Sequence, residues 1–98
     1  MARNPLTDAE IVEALEMLDG WERKADKLVK TFSTGSYAQG LAFAVAAGMV
    51  ADGFDHHPDM TVGYKKVTLE FTTHSAGHKI TQMDIDVAQA INAVRIRM

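Results

Sequence analysis

Apolar residues recur along the chain with two periods, and the switches between them mark the elements. Ile11, Ala14, Leu15 and Leu18 fall on one face of a 3.6-residue helix. Thr7 followed by Glu10 makes a capping box at its start, Asp8 and Glu10 suit its positive end, and Gly20 supplies a left-handed stop. From Trp21 to Thr34 the pattern predicts a hairpin turning at Asp26-Lys27, with Leu28 and Phe32 on one face and Lys30 interrupting them. Gly35 breaks the strand, and Ser36 is placed to cap a second helix from Tyr37 to Asp52. That helix carries two apolar stripes: Tyr37, Leu41, Ala44, Val45, Gly48 and Met49 on one, Phe43, Ala46, Ala47 and Val50 on the other. A helix apolar on both sides needs two covers, here the sheet and a neighbouring element or subunit. Asp52, seven residues beyond Val45, returns to the first stripe, and Gly53 ends the helix.

Pro58 forces His57 into an extended conformation, so His56 and His57 point in opposite directions. A strand from Val62 to His74 should follow, with Val67, Leu69 and Phe71 on one face. Tyr64, Lys66, Thr68, Glu70, Thr72 and His74 would share the other, which puts His74 on the wet face or its rim unless a bulge reverses it. Ser75 to Lys79 reads as a loop. Thr81 and Asp84 form a second capping box before a helix with Ile85, Ala88 and Ile91 on one stripe. Val94 extends that stripe, and Arg95 and Arg97 suit the helix's negative end. The order is α-β-β-α-β-β-α with the strands in two pairs: an α+β fold, a four-stranded antiparallel sheet with three helices on one face.

Composition narrows the function. A chain of 98 residues supports one core, so residues 1–98 are expected to form a single domain. A net charge of −3 argues against direct nucleic-acid binding, and the absence of cysteine excludes disulfides and thiolate catalysis. No apolar run approaches the ~18 residues of a membrane span, and the first residues lack the apolar core of a signal peptide. The expectation is a cytoplasmic protein with no membrane association.

All four histidines lie between His56 and His78. Imidazole titrates nearest neutral pH, and with no serine or cysteine nucleophile motif beside it the cluster points to proton transfer. Each residue also has a plainer reading: a solvated helix exit for His56 and His57, a solvated helix end for Asp52, a strand-end surface residue for His74. Asp84 reads as a cap, a catalytic carboxylate or both. His78 reads as a loop residue and Trp21 as a core anchor. A Zn²⁺ site on His56, His74 and Asp52 is chemically conceivable but has no H-E-x-x-H or comparable spacing behind it.

Taken together, G-W at 20–21, D-x-x-x-H-H-P at 52–58, Tyr64, T-H at 73–74, A-G at 76–77 and D-x-x-x-A at 84–88 resemble the pterin-4a-carbinolamine dehydratases. The same family is described as a dimerisation cofactor of a homeodomain transcription factor. The resemblance spans nearly the whole chain. It implies dehydration of 4a-hydroxytetrahydropterin to quinonoid dihydropterin, with no metal or organic cofactor. It further implies a homodimer or homotetramer and an aromatic amino acid hydroxylase as client. By position, the family's active histidines fall on His56, His57 and His74 and its carboxylates on Asp52 and Asp84. His56 and His74 would be the acid and base in undecided order, while His57 and Pro58 would bind the pterin. The alternative is a non-catalytic dimerisation or transcriptional-cofactor module on the same fold. Two departures stand out: Met60, where many members carry an aromatic residue, and a loop from His74 to Asp84 one residue longer, which brings in His78 and Lys79.

Overall fold

Three helices and four strands organise the computed structural model, which describes residues 4–95. They are α1 (Asp8–Leu15), β1 (Glu22–Lys24), β2 (Lys27–Ser33), α2 (Tyr37–Gly53), β3 (Asp59–Gly63), β4 (Lys66–Phe71) and α3 (Gln82–Asn92), with a short 3₁₀ turn at His74–Ala76. The strands form one antiparallel sheet in the order β1-β2-β4-β3. The observed order is the expected α-β-β-α-β-β-α.

Register sets which face meets the helices. Leu28 pairs with Phe71, Lys30 with Leu69 and Phe32 with Val67, so these six side chains share one face. Leu28, Val67, Leu69 and Phe71 are fully buried there against Ile11, Ala47, Val87, Ala88 and Ile91. Each such side chain contributes roughly 1.5–3 kcal/mol of burial. Thr31 and Thr68 pair on the opposite, polar face, their hydroxyls 2.8 Å apart.

Lys30, which interrupts the apolar run in sequence, is accommodated at the margin of the core. Its ammonium donates to the Asp19 carbonyl and to Asn92 Oδ1, both at 2.8 Å, and lies over the Phe32 ring. Burial pushes its pKa below the usual lysine value, with Asp19 opposing and Arg95 adding to the shift. Asn92 Oδ1 also accepts from Trp21 Nε1 at 2.9 Å, and the Trp21 ring packs on Phe32 and Phe71, so Trp21 is the core anchor expected. Gly20 sits at φ +82°, and a Cβ there would meet the Lys30 side chain at 2.6 Å.

Three boundaries differ from the expectation. The first helix ends at Leu15, and Met17 and Leu18 continue in tighter i→i−3 turns that still bury Leu18. The first hairpin turns at Ala25-Asp26 rather than Asp26-Lys27, because Ala25 takes the left-handed conformation (φ 54°) and Lys24 pairs with Lys27. The segment from Val62 to His74 is not one strand. The chain reverses at Tyr64-Lys65, with Lys65 at φ 59°, and so supplies both β3 and β4. Alternation stops at Phe71, and Thr72 and Thr73 are buried in succession. His74 therefore leaves the sheet and opens the 3₁₀ turn.

Both capping boxes form, and Ser36 Oγ accepts from the Gln39 amide at the start of α2. One stripe of α2 packs on the sheet through Phe43 and Ala47, while Tyr37, Leu41, Val45 and Met49 of the other are exposed. Arg97 lies outside the described residues. Among the described residues, no helix is long and apolar enough to cross a membrane.

Candidate active site

The exit from α2 aims the first two histidines. Phe54 closes the helix, Asp55 turns through φ 52°, and the His56 amide donates back to the Ala51 carbonyl at 3.1 Å. Pro58 then holds the chain extended, and the side chains diverge as expected: His56 is buried and His57 is exposed.

His56 points at α3. Its Nε2 lies 2.5 Å from Asp84 Oδ1, and its ring stacks on Phe71 with centroids 5.8 Å apart and planes 12° apart. Asp84 is fully buried. Its other oxygen, Oδ2, accepts from the Thr81 amide at 2.9 Å and from the Thr73 hydroxyl at 2.8 Å. Because the Thr73 proton goes to Asp84, the Thr81 hydroxyl is the donor in the 2.7 Å contact between the two threonines. Asp84 is therefore both cap and imidazole partner. With Nε2 engaged by Asp84, Nδ1 is the ring nitrogen of His56 left to meet a ligand.

His57 meets the other carboxylate. Its Nε2 is 2.9 Å from Asp52 Oδ1, with the two side chains 60% and 78% exposed. Water competes for such a pair and holds it weakly.

His74 comes from a third direction. It opens the 3₁₀ turn after β4, and its ring meets the His78 ring edge-on, with centroids 4.7 Å apart. His56, His57 and His74 line one cavity of about 260 Å³, together with Asp55, Thr72 and Ser75. A second, more apolar cavity of about 490 Å³ is lined by His57, Pro58, Met60, Asp52 and the α2 residues Ala44, Val45, Gly48 and Met49. His57 borders both.

The three candidate histidines thus converge, and each candidate carboxylate holds a different one. Pro58 and Met60 line the apolar cavity rather than the three-histidine one. The donors suggested for zinc separate, since Asp52 pairs with His57 and His56 with Asp84. Among the described residues, no group of three or more His, Asp or Glu side chains is placed to hold a metal ion. Asp55, Thr72 and Ser75 were not singled out by the sequence. Thr72 alone carried a signal, two residues before His74, but strand alternation assigned it to the wet face.

The profile of a family described as pterin 4 alpha carbinolamine dehydratase matches residues 4–94. A putative pterin-4-alpha-carbinolamine dehydratase from Natronomonas pharaonis is 48% identical over 84 residues, covering 86% of this chain and 88% of that protein. One of the same description from Roseiflexus sp. is 43% identical over 89 residues, covering 91% of this chain and 95% of its own. Among solved structures, a transcriptional coactivator/pterin dehydratase from Brucella melitensis superposes with a TM-score of 0.85 at 33% identity, over 92% of this chain and 97% of that one. A pterin dehydratase-like protein identified as a RuBisCO assembly factor in the alpha-carboxysome gives a TM-score of 0.58 at 26% identity, over 74% and 83%. With nearly every described residue inside the family's span, this chain belongs to the pterin-4-alpha-carbinolamine dehydratase family.

Proposed function

We propose that the chain dehydrates a 4a-hydroxytetrahydropterin to the quinonoid dihydropterin and water by histidine acid–base catalysis. The observation that carries this reading is the convergence of three imidazoles on one cavity, one of them held from behind by a buried carboxylate. In this reaction the bond from carbon 4a to its hydroxyl oxygen breaks, and the oxygen leaves as water after taking a proton. The adjacent ring nitrogen gives up its proton, and that N–H electron pair becomes the new C=N bond. One acid and one base on opposite sides of the substrate suffice, each contributing about 10²–10⁴-fold.

His56 and His74 are the proton carriers in this reading, in either order. Asp84 orients His56 and balances its charge when it is protonated. His57, steadied by Asp52 at the border of the two cavities, binds the pterin, with Pro58 as part of the wall. The reaction needs no metal or organic cofactor. It belongs to pterin recycling in the cytoplasm, consuming what an aromatic amino acid hydroxylase releases. The exposed stripe Tyr37, Leu41, Val45 and Met49 favours a homodimer or homotetramer covered along α2.

A non-catalytic binding module is the second reading, favoured by the alpha-carboxysome neighbour, a pterin dehydratase-like protein identified as a RuBisCO assembly factor. Turnover separates the two. Freshly generated 4a-hydroxytetrahydropterin is mixed with the protein and with His56→Ala, His74→Ala and His57→Ala. The expected result is rapid dehydration, a kcat loss of about 10² or more in the first two variants, and chiefly a raised KM in the third. No acceleration over the spontaneous reaction by the folded parent would leave the binding module. An equal kcat loss in His57→Ala with pterin binding intact would overturn the division of roles.

A further inference from the structure

His56 and His57 each have a carboxylate partner, whereas the ring of His74 lies against a second imidazole. We infer that His78 is a positioning residue, which fixes the orientation of the His74 imidazole at the mouth of the three-histidine cavity. The inference rests on the proposed dehydratase reading for its catalytic consequence, but its structural part stands apart from it.

The loop is built to bring the two rings together. The Thr73 amide donates to the Lys79 carbonyl at 2.9 Å, and the His78 amide returns to the Thr73 carbonyl at 3.1 Å. Between them the Gly77 amide donates to the His74 carbonyl at 3.1 Å, with Gly77 at φ 74°. The loop is fastened from outside as well. Lys79 Nζ pairs with Asp26 Oδ2 at 3.1 Å, and Thr72 Oγ1 donates to the Asp26 carbonyl at 2.8 Å. Within this clamp His78 adopts φ 60°, the left-handed region that most side chains avoid and that histidine, asparagine and aspartate enter more readily. Its ring then stands 63° to that of His74 at 4.7 Å, the edge-to-face arrangement aromatic quadrupoles prefer.

His74 is exposed and sits in a three-residue turn, so burial does not hold its side-chain torsions. An exposed ring free to rotate spends only part of its time with a nitrogen toward the substrate. A neighbouring ring on a closed loop raises that fraction, which affects the chemical step more than substrate affinity. The other titratable groups around the cavity are Asp55, His56 and His57 on the α2–β3 connection, with Lys79 and Asp26 paired behind the loop.

Two substitutions separate the ring from the backbone. His78→Asn suits the left-handed conformation but removes the ring, and His78→Phe keeps a ring without a charge. The expected result is a roughly tenfold lower kcat for His78→Asn with KM within about twofold, and recovery of most of that loss in His78→Phe. The second readout needs no substrate. In proton–carbon correlation spectra at a pH of about 8.5, above the ordinary imidazole value of ~6.5, the His74 ring protons carry a ring-current shift that disappears in His78→Asn and persists in His78→Phe. Unchanged His74 resonances in His78→Asn overturn the inference, as does a changed spectrum with unaltered kcat. If the parent itself shows no turnover, the dehydratase reading fails, while the spectra still decide whether His78 sets the His74 ring.

Discussion

The same pair of groups, an imidazole and a carboxylate, occurs twice within this site in opposite surroundings. His56 and Asp84 meet at 2.5 Å in the interior, 6% and 0% exposed, with the carboxylate taking two further hydrogen bonds from Thr73 and Thr81. His57 and Asp52 meet at 2.9 Å in contact with solvent. The inner pair joins the α2–β3 connection to the first turn of α3, so it belongs to the fold as much as to the site. The outer pair lies within five residues of sequence and ties nothing distant together. Under the proposed reaction, the first pair is the one to hold a nitrogen fixed for proton transfer, and the second leaves a contact that can adapt to an arriving ligand.

Removing each carboxylate in turn should expose that difference most strongly. Asp84→Ala removes the carboxylate partner of the His56 ring and of the Thr81 amide inside the protein, and leaves the Thr73 hydroxyl with Thr81 alone. Breaking a buried pair in this way costs about 3–5 kcal/mol. Asp52→Ala leaves its partner to water, at a cost of about 0.5 kcal/mol or less. Urea unfolding of both variants measures the contrast, and similar losses would break it. A more selective version is a double-mutant cycle. His56→Ala with Asp84→Ala should couple by about 1–3 kcal/mol, and His57→Ala with Asp52→Ala by under about 0.5 kcal/mol. In turnover, Asp84→Asn keeps the size of the side chain but loses its charge and one of its two acceptor oxygens, so it can no longer accept from both His56 and the Thr81 amide. Its kcat is expected to fall about 10²-fold, on the scale of losing one placed proton carrier, while Asp52→Asn stays within about threefold.

Why one pair was easier to read than the other follows from where its information lies. The divergence of His56 and His57 was legible because proline restricts the residue before it, a purely local constraint. The capping boxes at Thr7-Glu10 and Thr81-Asp84 were legible for the same reason, as was the core role of Trp21. That Asp84 would serve His56 and Asp52 would serve His57 was not, since 28 residues separate Asp84 from its partner and only the docking of α3 joins them. The reversal at Tyr64-Lys65 was hidden because neither residue is a customary turn former, and a lysine takes the left-handed position. Thr72 and Thr73 misled in a different way. Strand alternation placed Thr72 on the wet face, but the tie of Thr73 to Asp84 turns the chain inward and ends the sheet. The face of His78 was beyond reach, because it depends on the closure of the loop between Thr73 and Lys79.

The smallest effect tests whether exposed pairs at this site are weak in general. Asp26 pairs with Lys79 at 3.1 Å and with Arg23 at 3.6 Å, joining the β1–β2 turn to the loop that carries His78. The hydrogen bond from Lys79 holds its carboxyl below the ordinary aspartate value, partly opposed by desolvation and reinforced by the charges of Lys79 and Arg23. A carboxyl with a lower pKa in the folded state binds fewer protons than the unfolded chain, so its contribution is complete above the ordinary value of 3.8. It is lost as pH falls through the folded value. Asp26→Asn should therefore lower the urea midpoint slightly and by a constant amount at pH 5 to 7, in units well inside the scale of exposed ion pairs. The difference from the parent should shrink below about pH 4, as the parent's own carboxyl takes up its proton. Added salt should shrink it at neutral pH too, through screening. A large difference that ignores salt would mean that this pair behaves like His56 and Asp84, and that exposure is not what separates the two kinds of contact.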